Sequence, residues 1–174
     1  MNEKKKAILK SILLILCVIL LLIFSLYFFR FFSDREIDDV SPEILCEDEL
    51  LKKSAVLWIV PLYDNKSIAD DAGWCKYILS LNKTLGMHGI EHKFNEFYDF
   101  RDENYILKGI DAFEECFGYT PRMFKAPQLA LIKSNEKLLE KMKFDVRGRF
   151  NQLTHKVYHC SDTGMFSNEL IDWI

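Results

Sequence analysis

Hydrophobic residues follow two different patterns along this chain. From Ile12 to Phe29 every residue except Ser25 is apolar, a run of 18 residues with no polar face. After that run, short apolar segments alternate with segments whose apolar residues recur at helical spacing, as at 106, 107, 110, 113 and 117. The pattern therefore predicts one uniformly apolar helix, followed by a domain in which strands and helices alternate.

The predicted strands and helices come in an order typical of parallel sheets. Strands are expected at residues 35–40, 55–63, 87–90, 122–127, 144–149 and 156–160. Helices are expected at residues 67–86, 101–118 and 130–143. In the first of these helices, Ser67 is the expected N-cap and Gly86 lies beyond the expected end. This alternation predicts an α/β domain with a parallel layered sheet or a barrel.

The apolar run is long enough to cross a bilayer as a helix, which takes about 20 residues. A cleaved signal peptide, whose apolar core is usually only ~7–15 residues long, is the alternative, but bulky residues follow this run. Four lysines precede the run, which predicts a single-pass signal-anchor with its N-terminus in the cytoplasm. The expected division is a cytoplasmic basic tail at 1–10, a transmembrane helix in the lipid bilayer at 11–32, and an extracytoplasmic domain at 33–174.

Charge and cysteine content narrow the partners of the outer domain. Subtracting the net +3 of residues 1–10 from the whole chain's −3 leaves −6 for the rest, which argues against a nucleic-acid partner. Four cysteines (46, 75, 116 and 160) lie where disulfides are permitted, but their pairing cannot be read from the sequence. No protein partner is indicated.

Polar residues that suit catalysis fall where predicted strands end, the edge at which parallel α/β folds gather their functional groups. Asp38 and Asp39 end the first strand, and His88 and His92 follow a later one. Two histidines and a carboxylate from elsewhere would leave a catalytic zinc its open positions. Alternatively, "HGIEH" matches the H-x-x-E-H metalloprotease motif, which needs a helix that Gly89 opposes. The pair can also be coincidental.

Three segments in this order, "IDDVSP", "MHGIEHKFNEF" and "YTPRMFKAPQ…LLEKMKFDVRGR", resemble the polysaccharide deacetylase family. These carbohydrate esterases remove acetyl groups from N-acetyl sugars and are marked by paired aspartates, a His-x-x-x-His motif and a later Arg-x-Pro-like motif. The similarity covers roughly residues 35–160. It implies an irregular (β/α) barrel, and about 140 outer residues are few for a complete one.

The resemblance also implies roles for individual residues. A divalent metal, with zinc as the first candidate, would be held by Asp39, His88 and His92. Asp38 would be the general base. His159 is preferred as the general acid, with His155 second. The remaining candidates, for substrate contact, are Lys125 and Glu96.

The sequence thus predicts a membrane-anchored, metal-dependent hydrolase that removes acetyl groups from an N-acetylated polysaccharide or glycan. Three departures stand beside the resemblance: Lys125 replaces the family's arginine, Gly89 replaces a frequent Ser or Thr, and the family's late Leu-x-His motif has no obvious counterpart. A non-catalytic, glycan-binding or structural relative is the first alternative. A metalloprotease, in which Glu91 rather than Asp38 would be indispensable, is the second.

Overall fold

A computed structural model describes residues 3–173 and contains an apolar helix followed by an α/β domain. The elements, in chain order, are α1 (Glu3–Phe32), β1 (Arg35–Val40), α2 (Asp48–Lys53), β2 (Val56–Ile59), β3 (Leu62–Tyr63), β4 (Lys66–Ser67), α3 (Ala72–Ser80), β5 (Thr84–His88), α4 (Glu103–Phe117), β6 (Met123–Lys125), α5 (Lys133–Lys141), β7 (Asp145–Arg147), α6 (Arg149–Thr154), β8 (Lys156–His159) and α7 (Asn168–Trp173).

Six of the strands form one parallel sheet in the order β7-β6-β5-β2-β1-β8. The sheet curls as a half-barrel, with β7 and β8 as its two edges and β3 and β4 paired separately. Parallel pairing brings the carboxyl ends of β1, β5, β6 and β8 to one edge. The α/β fold expected from the alternating pattern is therefore confirmed, as an open, curled sheet.

The core forms where the apolar segments of the sequence predict it. β2 is a continuous apolar strand, and its Leu57, Trp58 and Ile59 are fully buried between neighbouring strands and helices. Helix α4 buries its apolar face, which includes Ile106 and Phe113. The helix ends at Gly118, which adopts φ +78°, as its position after the last apolar residue predicts.

The prediction of one helix over residues 67–86 was wrong. Ser67 does cap a helical turn, but that turn is a short 3₁₀ segment at residues 68–70, and α3 begins afterwards with Asp71 as its N-cap. Gly86 lies inside β5 rather than after a helix. The reason is packing: a Cβ at Gly86 would stand 2.5 Å from a ring carbon of Trp58 on the neighbouring strand. Both α6 and α7 are additional to the predicted elements.

The N-terminal helix α1 is apolar and exposed along its length, and it is long enough to cross a membrane. In its last turn, Arg30 donates hydrogen bonds to the backbone carbonyls of Gln152 and Leu153 on α6, at 3.3 and 3.2 Å. Only two residues separate α1 from β1. The helix is thus held against the α/β domain at one end.

Two disulfides link segments that are distant in the sequence. Cys46 pairs with Cys160, which joins the loop after β1 to the end of β8. Cys75 pairs with Cys116, which joins α3 to α4. The first of these bridges lies directly after His159 and restrains the carboxyl edge of the sheet.

The contact between Gly86 and Trp58 predicts a stability effect. Gly86→Ala would push a methyl group into a fully buried indole and lower the free energy of unfolding by ~1–3 kcal/mol. Urea denaturation of the detergent-solubilised chain measures this change. Gly148→Ala is the matched control, since a Cβ there meets nothing within 4 Å. Equal stability of the two variants would contradict the packing argument.

Candidate metal centre

A β-bulge at the end of β1 turns two successive aspartates toward the same cavity. Neighbouring residues of a regular strand point to opposite faces. Here the pairing runs from Ile37↔Leu57 to Val40↔Ile59, so β1 holds one residue more than β2. Asp39 adopts φ +65° within this bulge. As a result, both Asp38 and Asp39 line the cavity at the carboxyl edge of the sheet.

The two histidines come from the end of β5 and the loop that follows it. His88 is the last residue of β5 and pairs in register with Lys125 of β6. Gly89 has φ +64°, and a Cβ on it would lie 2.3 Å from Glu96 and 2.6 Å from Pro127. No side chain fits at this position, so the family's Ser or Thr would not be accommodated. His92 follows with φ +57°.

A buried carboxylate, that of Glu96, holds this loop in shape. Its oxygens accept hydrogen bonds from the backbone N–H groups of Ile90, Glu91 and His92, at 3.0, 2.8 and 3.1 Å. The hydroxyl of Tyr105 donates a further bond to it, at 2.6 Å. Residues 89–92 therefore form a loop organised around the buried Glu96 side chain rather than a helix.

Three potential ligand atoms converge above β1 and β5. Asp39 Oδ1 lies 2.7 Å from His92 Nε2 and 3.3 Å from His88 Nε2, and one atom from each residue lies within 4.8 Å of the others. Asp39 Oδ1 is buried and its angles to these nitrogens do not make a regular hydrogen bond. Converging oxygen and nitrogen lone pairs of this kind suit a divalent cation such as zinc.

The surroundings of His88 and Asp39 fit a metal site as well. His88 Nδ1 lies 3.1 Å from the backbone carbonyl oxygen of Lys125. A carbonyl oxygen can only accept a hydrogen bond. This contact places the hydrogen on Nδ1 and leaves the lone pair of Nε2 facing Asp39. Thr163 Oγ1 donates to the other oxygen of Asp39, at 3.1 Å, and so fixes the orientation of the carboxylate.

The electrostatics of the cluster favour a charged Asp39. Burial would raise the pKa of the Asp39 carboxyl, but the adjacent His88 and His92 side chains outweigh burial and hold that pKa well below its usual range. For His92, burial would lower the pKa, and the Asp39 carboxylate raises it above its ordinary value. An anion therefore stands at the centre of the site at neutral pH.

Asp38 faces the same cavity from within a buried ionic cluster. Lys125 Nζ donates a 2.8 Å hydrogen bond to its Oδ1, which leaves Oδ2 directed toward His88 and His159. The same ammonium lies 3.5 Å from Glu36 Oε2. Glu36 in turn accepts hydrogen bonds from Trp58 Nε1 at 2.7 Å and Asn151 Nδ2 at 2.9 Å.

His159 lies across the cavity from the histidine pair. It ends β8, in register with Asp38, and its Nε2 is 3.6 Å from Asp38 Oδ2. Asn168 fixes the backbone of His159 through two hydrogen bonds. The Nδ1 atom of His159 is buried and, among residues 3–173, has no hydrogen-bond partner. His155 instead contacts Asn151 and Thr154 at the end of α6 and does not line the cavity.

The cavity between these groups has a volume of about 600 Å³. Its floor carries Asp38, Asp39, His88, His92 and His159. Its remaining wall is largely apolar and includes the residues Leu129, Leu153, Val157, Met165, Phe166 and Ile171, together with Arg30 of α1.

Two predicted substrate contacts lie in other places. Lys125 is only 1 % exposed and sits behind Asp38, where its Nζ lies 2.8 Å from Asp38 Oδ1 and 3.5 Å from Glu36 Oε2. Glu96 is buried under the histidine loop, where it accepts backbone N–H groups. Neither side chain lines the cavity. The structure gives both residues positioning contacts instead.

Sequence reasoning missed Glu36, Thr163 and Asn151. Glu36 stands two residues before Asp38, and a carboxylate inside a predicted buried strand was a usable signal, because such a charge needs a partner. Thr163 and Asn151 gave no local signal. They reach the site only through the packing of β8 and α6 against β1.

Comparison with known proteins supports the fold. No protein-family model and no curated protein sequence matches the chain. Among solved structures, the Bc1960 peptidoglycan N-acetylglucosamine deacetylase is similar, with TM-score 0.53, 15 % identity, and coverage of 65 % of this chain and 54 % of that one. The Bc1974 polysaccharide deacetylase of Bacillus cereus follows at TM-score 0.49, 13 % identity and coverage of 67 % and 60 %.

A carbohydrate esterase pseudoenzyme of Bacillus anthracis, BA3943, is also among the matches, at TM-score 0.42 and 14 % identity, with coverage of 52 % of this chain and 31 % of that one. The chain thus spans between about a third and three fifths of the length of these proteins. At such identities the likeness concerns the fold. The chain has the polysaccharide deacetylase fold, and the resemblance predicted from its motifs is confirmed at that level.

The contacts of Glu96 predict its effect on metal binding. Glu96→Ala would release three backbone N–H groups and let His92 drift, so we expect zinc affinity to fall by ~10–100-fold. Competition with a chromophoric chelator, on the full-length chain in detergent, measures the affinity. Glu91→Ala is the matched control, because the Glu91 side chain contacts Lys93 and Tyr105 outside the ligand set. Equal losses in both variants would contradict the proposed role of Glu96.

Proposed function

We propose that this protein is a metal-dependent deacetylase that hydrolyses the acetamide of an N-acetylated glycan. One observation carries the proposal: a three-residue ligand set and two proton-transfer groups, Asp38 and His159, face one cavity at the carboxyl edge of a deacetylase-like sheet. Asp39, His88 and His92 would hold the ion, for which zinc is the first candidate.

When bound there, a divalent ion supplies polarisation of the acetamide carbonyl and activation of water. Asp38 is placed to accept the proton of the attacking water, because Oδ2 faces the cavity while Lys125 holds Oδ1 in a hydrogen bond. His159, 3.6 Å away, is placed to give a proton to the departing amine. The reaction consumes one water and releases the free amino sugar and acetate.

The same proposal assigns the chain to a membrane, anchored by α1 with its α/β domain on the extracytoplasmic side. The four lysines in the first turns of α1, ahead of its apolar run, support this orientation through the positive-inside rule. Both disulfides lie in the α/β domain and suit an oxidising compartment. The exposed apolar run of α1, residues 12–29, supports insertion into lipid.

A non-catalytic, metal-binding relative is the second candidate. The observation that favours it is His159 Nδ1, which is buried without a partner among the described residues. A general acid is normally oriented by a group at its second nitrogen, and a charged imidazole at this site lacks that support. Bound zinc without acetate release would identify this case.

The metalloprotease alternative loses its structural basis. The H-x-x-E-H mechanism requires a helix that places both imidazoles on one face and the glutamate over the metal. Here residues 89–92 form a loop, and the Glu91 carboxylate contacts Lys93 and Tyr105. Glu91 is therefore expected to be dispensable.

We predict that Asp38→Asn lowers acetate release from an acetylated chito-oligosaccharide by ~10²–10⁴-fold, because the general base is lost. Zinc content by elemental analysis should stay near one per chain, whereas Asp39→Ala and His88→Ala should lose it. Glu91→Gln is the matched control and should keep both zinc and activity. The midpoint of thermal unfolding of each variant shows whether the domain remains folded. Asp38→Asn is expected to fold, because Lys125 keeps its partner Glu36.

Zinc in the unsubstituted chain with no acetate release from any N-acetylated substrate would overturn the catalytic proposal in favour of the non-catalytic one. Loss of acetate release in Glu91→Gln, with Asp38→Asn still active, would contradict the assignment of Asp38 as the general base.

A further inference from the structure

We infer that the site acts on a membrane-borne amphiphile, a lipid whose N-acetylated sugar head group enters the cavity while its hydrocarbon stays in the bilayer. The inference rests on the proposed deacetylase function and specifies its substrate class. Three independent features of the chain support it.

The first feature is the short connection between α1 and the site. Asp39 is seven residues after Phe32, the last residue of the apolar helix. Even a fully extended chain of seven residues spans at most about 25 Å. A site tethered this closely cannot move far from the membrane surface. A substrate therefore has to come within that distance of the bilayer.

The second feature is the composition of the cavity wall. Arg30, in the last turn of α1, lines the same cavity as the proposed metal ligands. It also binds α6 through the carbonyls of Gln152 and Leu153. The lining of the cavity therefore reaches from Asp39 to the last turn of α1, where a direct contact joins the helix to the domain.

The third feature is a set of exposed apolar side chains on α6, the helix that Arg30 contacts, and at Met165 in the cavity lining. Leu153 and Met165 line the cavity and are 58 % and 91 % exposed. Phe150, one turn before Leu153 on α6, is 77 % exposed. Apolar groups at the end of a membrane helix favour the boundary between head groups and acyl chains. We call these three residues the apolar rim.

Together these features separate the two ends of the substrate. The polar floor, with Asp38, Asp39 and the histidines, suits a hydrated acetamide. The apolar rim offers little to a second sugar unit but suits the hydrocarbon attached to a single head group. A long polysaccharide would have to cross the rim and the adjoining lipid surface to place an internal residue over Asp39.

The test compares two substrates on the full-length, zinc-loaded chain in phosphatidylcholine liposomes. One is a dialkylglycerol glycoside of N-acetylglucosamine embedded in the same liposomes, and the other is a water-soluble chito-oligosaccharide. We expect acetate release from the glycolipid to be faster by about 10-fold or more at equal bulk concentration, since both partners share one surface. Equal or faster release from the oligosaccharide would overturn this inference and leave the deacetylase proposal standing.

Release from neither substrate would overturn the deacetylase proposal itself, and this inference with it. The two failures are therefore distinguishable.

A spacer variant tests the geometry directly. A proline-rich insert of ~20 residues between Ser33 and Asp34 would lift the site by about 60 Å. We expect the turnover of the glycolipid relative to that of the oligosaccharide, measured in the same variant, to fall about 10-fold or more. The matched control is a Gly/Ser insert of equal length, which lets the domain return to the surface and should lose less. Undiminished glycolipid turnover with the proline-rich insert would overturn the inference.

Discussion

The ammonium of Lys125 is the group on which the arrangement of the sheet depends. It is almost completely buried, between the carboxylates of Asp38 and Glu36. Removing one partner from a buried ion pair typically costs about 3–5 kcal/mol, because the remaining charge is left without compensation. Since Trp58 and Asn151 bond to Glu36, this one charge links β1, β2, β6 and α6. The geometry of Asp38 is a consequence of that network.

Two of the proposed metal ligands occupy strained backbone positions. Asp39 and His92, which are not glycine, both adopt positive φ, and Gly89 in the loop before His92 shares that conformation. Each such non-glycine position costs on the order of 1–3 kcal/mol and persists only where the surroundings impose it. Glu96 supplies this restraint for the histidine loop, and pairing with β2 and β8 supplies it for the bulge. The ligand atoms are thus held in place before any ion binds.

The short connection between α1 and β1 joins the fold to its proposed setting. Asp38 and Asp39, the proposed base and metal ligand, follow the end of the apolar helix closely in the chain. The site therefore cannot move away from the membrane independently of α1. The contact of Arg30 with α6 has the same effect from the other side of the cavity. The Cys46–Cys160 disulfide, next to His159, restrains the carboxyl edge of the sheet.

The sequence by itself determined the apolar helix, the alternation of strands and helices, and the strand ends that carry Asp38, Asp39, His88 and His92, because periodicity and order along the chain are local properties. It misplaced Gly86, whose position depends on Trp58 of the neighbouring strand. Only the tertiary structure showed that His159 lines the cavity and His155 does not, placed Lys125 and Glu96 behind the cavity, and brought Glu36 and Thr163 to the site. These assignments depend on the register between segments up to 124 residues apart, which no short stretch of sequence encodes.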